Sequence, residues 1–93
     1  QRPTAAVCWM DLSAYRLLEQ CDRMRLRVPE DLAIVGFDGI PLQIHPARTL
    51  TTIRAPWADV AVQAVDFLLA LLNGEEVPQE TICPVQLVIG DTA

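Results

Sequence analysis

Apolar and polar positions along the chain switch between strand-like runs and helical stripes, and the order of those switches predicts the architecture. Ala5 to Trp9 is a short, continuously apolar run, the pattern of a strand buried on both faces. Asp11 follows as an N-cap for a helix running to about Met24, with Ala14, Leu17, Leu18, Cys21 and Met24 on one face. Glu19 and Arg23 stand four apart on the other side and can pair, and Val28 and Pro29 stop the helix. Leu32 to Phe37 is a second all-apolar run, ending in Gly36-Phe37-Asp38-Gly39. Strand, helix and strand within roughly 35 residues predict a right-handed parallel βαβ unit.

The second half is less regular. Residues 40–49 are interrupted by proline and read as a long loop, after which Leu50 to Arg54 is strand-like. Pro56 opens a helix that runs to Asn73, and Gly74 is placed for the left-handed position after its end. The polar residues of that helix, Asp59, Gln63, Asp66 and Asn73, fall near one narrow stripe. Val60, Val62, Val65, Phe67, Leu68, Leu69, Leu71 and Leu72 fill the rest, so the helix needs cover on more than one side. A connector follows from Val77 to Pro84, and Val85 to Ile89 alternates as a short last strand. The fold class is α/β.

Composition narrows what this fold can do. The 93 residues make at most one small domain. The longest apolar run, Phe67 to Leu72, is far too short to span a bilayer. Gln1 is not a translational start, so the chain reads as processed or trimmed. All seven basic residues are arginine and the net charge is −5, which argues against direct nucleic-acid contact by this segment. Arg23, Arg25 and Arg27, with Arg16 nearby, read as cations suited to a helix C-terminus. Cys8, Cys21 and Cys83 are odd in number and lack metal-ligand spacing; they read as reduced core thiols, consistent with the cytoplasm.

Chemistry is expected at the carboxyl edge of the sheet, where open parallel sheets bind ligands. Asp11 follows the first strand and Asp38 the second. Asp11 either caps its helix or offers acceptors to a ligand; Asp38 either bonds the following loop or does the same. Trp9 and Trp57 flank strand ends, where an indole either packs in the core or stacks on a sugar or flat heterocycle. His45 is the only imidazole and has no nucleophile partner. Gly36 and Gly39 lack a third glycine at phosphate-loop spacing. No catalytic constellation assembles.

Three ordered blocks resemble the LacI/GalR family of transcriptional regulators. They are Arg2-Pro3-Thr4-Ala5 through Trp9-Met10-Asp11-Leu12, then Leu26 through Asp38, then Leu50-Thr51-Thr52-Ile53-Arg54 with Pro56-Trp57, a long helix, Gly74-Glu75 and Pro84-Val85-Gln86-Leu87. The resemblance implies part of a type I periplasmic-binding-protein-like effector domain. In it, residues 1–54 and 84–93 belong to the C-terminal subdomain, and residues 55–83 to the hinge crossing and a helix of the N-terminal subdomain. It further implies a small, sugar-like effector bound by Asp11, Trp57 and Trp9, and a homodimer to which Ile44 and His45 contribute contacts. DNA is reached only through a separate helix-turn-helix domain. Neither cofactor, metal nor membrane is implied, and no enzymatic activity. Met10 departs from the family's usual Asn, Ala55 from Gln, Arg25 from a helix-ending Gly, and Arg48-Thr49 from Pro-Pro. A transporter's periplasmic sugar-binding protein shares the fold. A metal-dependent phosphoryl-transfer domain using Asp11 and Asp38 is the alternative from another class.

Overall fold

The computed structural model describes residues 1–41 and 44–93 and divides into two compact units, Gln1–Arg54 with Gln86–Ala93, and Ala55–Val85. In the first unit, β1 (Ala5–Val7), α1 (Asp11–Arg23), β2 (Ala33–Asp38), β3 (Thr51–Arg54) and β4 (Gln86–Val88) follow one another. The sheet order is β1-β2-β3-β4, with β1, β2 and β3 parallel and β4 antiparallel to β3. The βαβ unit is therefore formed as the apolar pattern predicts.

Register explains which residues meet α1. Ala6 pairs with Ile34 and Gly36 with Thr52, which in turn pairs with Val88, so these residues share one sheet face. Against that face α1 lays Ala14, Tyr15, Leu18 and Cys21, which with Val28, Ile34 and Leu50 make the buried core. The opposite face carries Val7, Phe37 and Leu87, all exposed, Val7 at 82%. The expectation that β1 is buried on both faces is thus corrected. β1 is an edge strand, and only one face of the sheet lies under a helix of this unit.

α1 ends at Met24 as its sequence suggests, but its N-terminus is capped differently. Met10, in an extended conformation, occupies the N-cap without a side-chain bond, and Asp11 is the first helical residue. At the other end the helix stops before Val28-Pro29. Leu26 N–H donates to the Cys21 carbonyl (2.9 Å) and Arg25 N–H to that of Asp22 (3.1 Å), with Arg25 at φ 57°. This is a Schellman closure with arginine in the position that favours glycine. Beyond it, Arg27 grips Asp31 through Nε (2.9 Å) and Nη2 (2.7 Å), and its backbone N–H adds a third bond. The expected Glu19–Arg23 pair is present at 2.7 Å.

The C-terminal residues close the bottom of the sheet. Thr92, fully buried, donates its hydroxyl to the Ile34 carbonyl (2.7 Å) and accepts from Thr51 N–H (2.9 Å). Asp91 accepts from Arg48 Nε (2.8 Å) and Thr49 N–H (3.1 Å), while Arg48 Nη2 also donates to the Val28 carbonyl. Gly90 lies so close to the Thr49 and Leu50 backbone, 2.7 Å from the Leu50 carbonyl carbon to where a Cβ would sit, that no larger residue fits there. Arg48 and Thr49 thus form a polar clamp on the C-terminal segment.

The second unit is built on α2 (Trp57–Leu72), with Pro56 as its N-cap residue. It ends in another Schellman closure: Glu75 N–H donates to Ala70 (2.9 Å) and Gly74 N–H to Leu71 (3.1 Å). Gly74 has φ 75°, the left-handed conformation expected of it. No residue of α2 is buried, and Leu68, Leu69, Leu71 and Leu72 are each more than half exposed.

Candidate functional site

The carboxyl edge of the parallel strands is organised around Asp11. Its side chain is 2% exposed and lies over β2, where Gly36 has no Cβ to collide with it. Asp11 Oδ2 accepts from the Ile40 N–H at 3.0 Å, and Oδ1 accepts a short bond from the Thr52 hydroxyl. Both oxygens therefore serve tertiary partners, and neither caps α1. The negative charge is close enough to Tyr15 to hold its phenol protonated to higher pH, an effect second to that of burial itself.

Asp11 and Tyr15 form one wall of a cavity of about 220 Å³. Gly39, Ile40 and Pro41 form its rim, and Thr49, Leu50, Thr52, Arg54 and Val88 complete the sheet side. The rim is a tight turn with Asp38 at φ 115° and Gly39 at φ 67°. A Cβ on Gly39 would lie 2.6 Å from Arg54 Cα, so the turn packs directly on the end of β3. Carboxylate, phenol, hydroxyl and guanidinium groups around a small apolar floor suit a small polar ligand.

The remaining expected site residues lie elsewhere. Trp9 follows β1 and is 82% exposed, and it lines neither the cavity beside Asp11 nor the one beside His45. Trp57 begins α2 in the second unit and is 52% exposed. Asp38 contributes to the turn through its backbone conformation. Ile44, half exposed, and His45 border a second cavity of about 340 Å³ against Leu12, Tyr15, Arg16 and Glu19 of α1. His45 Nδ1 accepts from Ala47 N–H (3.2 Å), which leaves Nε2 to donate to Asp22 Oδ2 (2.8 Å). The imidazole thereby ties the loop to α1. Thr52 and Ile40 are hydrogen-bond partners of Asp11 that sequence reading missed. Their only sequence signal is that one sits mid-strand and the other two residues beyond Asp38.

Cys8, Cys21 and Cys83 are free thiols. Burial pushes Cys8 and Cys21 up from the usual thiol range, with Asp22 adding to the effect at Cys21. Cys21 belongs to the core, whereas Cys83 lies half-buried in the second unit, with its sulfur 3.5 Å from Gln63 Oε1. Among the described residues no group of three or more His, Cys, Asp or Glu gathers to hold a metal ion. Nor is any helix among them long and apolar enough to cross a membrane.

Comparison with known proteins agrees with this architecture. The periplasmic binding protein-like domain family matches residues 1–93. The arabinose metabolism transcriptional repressor of Geobacillus stearothermophilus is 40% identical over 77 residues, covering 83% of this chain and 21% of its own. The HTH-type transcriptional repressor CytR of Escherichia coli is 42% identical over 77 residues, covering 83% of this chain and 23% of its own. Among solved structures, CcpA of Lactococcus lactis superimposes with a TM-score of 0.88 at 27% identity, over 96% of this chain and 33% of that one. A LacI family regulator from Lactobacillus casei with bound glucose gives a TM-score of 0.81 at 30% identity, over 98% of this chain and 32% of that one. The chain spans less than a quarter of these two curated relatives. With its sheet order, carboxyl-edge aspartate and matched blocks, it belongs to the periplasmic binding protein-like family and corresponds to part of the effector domain of LacI/GalR-type regulators.

Proposed function

We propose that this chain is the effector-sensing and dimerisation part of a LacI-type transcription regulator. The observation that carries the reading is the small polar cavity beside Asp11, at the carboxyl edge of a sheet whose relatives are transcriptional repressors. The effector is a small hydroxylated molecule, sugar-like in class. Asp11 builds the wall of the cavity that receives it, and Trp9 and Trp57 are proposed as further contacts through their indoles. Binding favours one arrangement of the effector domain and so changes the grip of a helix-turn-helix domain on its operator. That role is regulatory rather than enzymatic, and it places the protein in the cytoplasm as a homodimer, with Ile44 and His45 at the dimer contact.

The subdomain assignment follows the same logic. Residues 1–54 and 84–93 form the C-terminal subdomain, and residues 55–83 the hinge crossing and a helix of the N-terminal one. The two compact units support this division, and so do the exposed apolar residues of α2, which suit a helix covered by the rest of its subdomain. Neither of the other readings, a transporter's binding protein or a phosphoryl-transfer domain, finds support among the relatives compared above. A thermal-shift series on the full regulator with glucose, arabinose and nucleosides tests the proposal. A stabilising ligand that also alters operator retention supports it; a regulator indifferent to every one of them counts against it.

A further inference from the structure

The turn after β2 is built against the conformational preference of its residues. Asp38, a non-glycine residue, is held at φ 115°, a sparsely populated backbone region that persists only where surrounding contacts enforce it. Gly39 follows at φ 67° and sits on the Arg54 backbone, where a Cβ would have no room. The next residue, Ile40, turns its N–H into the sheet and onto Asp11 Oδ2 at 3.0 Å. Asp11 Oδ1 is fixed in turn by the Thr52 hydroxyl, and Gly36 leaves the space this carboxylate fills. One buried side chain thus joins the start of α1, the middle of β3 and the far end of the turn.

We propose that Asp11 is a positioning residue, whose buried carboxylate tethers the strained Asp38-Gly39-Ile40 turn to β3 and so sets the rim of the cavity. Each oxygen accepts one of these bonds, and because Asp11 also lines the cavity, the carboxylate that fixes the rim borders any ligand bound there. Only the link to an effector rests on the function proposed above; the tether itself does not.

Amide hydrogen exchange read by NMR on the 93-residue chain tests this. Asp11→Ala should speed exchange at Ile40 about tenfold or more, while the amides of β2 keep their protection. Asp11→Asn should restore slow exchange, because its carbonyl can accept from Ile40 while its amide donates to the Thr52 hydroxyl. Unchanged exchange at Ile40 in Asp11→Ala, or Asp11→Asn exchanging as fast as Asp11→Ala, overturns the tether. If Asp11→Ala does not fold, Thr52→Val decides. Faster exchange at Ile40 with β2 intact supports the tether, and no change refutes it. A regulator that ignores glucose would count against the effector reading and leave these exchange rates as they are.

Discussion

Replacing Arg25 by glycine should stabilise the chain, although it removes a charged side chain and adds no contact. Arg25 closes α1 at φ 57°, where an L-residue with a Cβ pays about 1–2 kcal/mol that glycine does not. Against this stands the greater freedom that glycine loses on folding, about 0.5–1 kcal/mol. The difference spans about 0–1.5 kcal/mol, and its middle part is a net gain of about 0.5–1 kcal/mol. For a domain of this size that is a rise of roughly 2–8 °C in Tm. No hydrogen bond or ion pair of the Arg25 side chain is lost among the described residues. Urea denaturation followed by circular dichroism, with Arg25→Ala as control, isolates the backbone effect. Alanine keeps the Cβ and should leave the midpoint nearly where it was. Gly74 supplies the reciprocal case. It holds the same position at the end of α2, at φ 75°, and a Cβ there would meet nothing within 4 Å. Gly74→Ala should therefore cost about 1 kcal/mol from conformation alone. If Arg25→Gly lowers the midpoint, or if the alanine and glycine variants behave alike, the left-handed closure is not what limits stability there.

Other changes probe other parts of the fold. Gly36→Ala should destabilise by about 1–3 kcal/mol, because its Cβ would meet Asp11 Oδ1 and come within 2.8 Å of Leu50 Cδ2; an unchanged urea midpoint would show that Asp11 can move aside cheaply. Thr92→Val keeps the shape but strands the Thr51 N–H and the Ile34 carbonyl, a loss of about 2–4 kcal/mol in chemical denaturation; a loss below the error of the midpoint would contradict the proposed closure. Arg48 holds the Asp91 carboxyl below the usual carboxylate range, with the Thr49 N–H helping. A depressed folded value means this contribution is complete above the unfolded carboxyl's range and fades as pH falls through the folded one. Asp91→Asn should accordingly flatten the acid limb of a stability–pH curve, and an identical limb in both proteins would refute the role. Cys21, 2% exposed with its thiol pushed up by burial, should resist iodoacetamide at pH 8 in the folded chain and react once urea unfolds it.

How much of this was legible in the sequence depended on how locally each feature is decided. The βαβ unit, the Glu19–Arg23 pair and the Gly74 closure are written within a few residues of where they form, and all three are present. The exposure of Val7 on β1 was not legible, because an apolar run records what a strand can bury and not which residues of this chain lie against it. Asp11 misled for a similar reason. A carboxylate before a helical stripe satisfies the rule for an N-cap, yet Thr52, 41 residues away, and the missing Cβ of Gly36 draw it onto the sheet. The terminal Gly90-Asp91-Thr92 segment carries no pattern of its own. Its function as a clamp exists only because β3 begins beside it and Arg48 can reach across. The parallel-sheet rule pointed to the carboxyl edge as the expected ligand side, while the partners that fix Asp11 there emerged from three-dimensional packing.

The central claim, that this chain forms part of the effector site of a regulator, is tested most directly by titrating glucose and then nucleosides into the full-length regulator while following its melting temperature and its operator affinity together. Binding to the folded protein alone should add about 2.7 kcal/mol of stability at a ligand concentration one hundred times Kd. Operator affinity should change over the same concentration range. A ligand that stabilises the protein without altering operator affinity, or the absence of any stabilising ligand, would contradict the account.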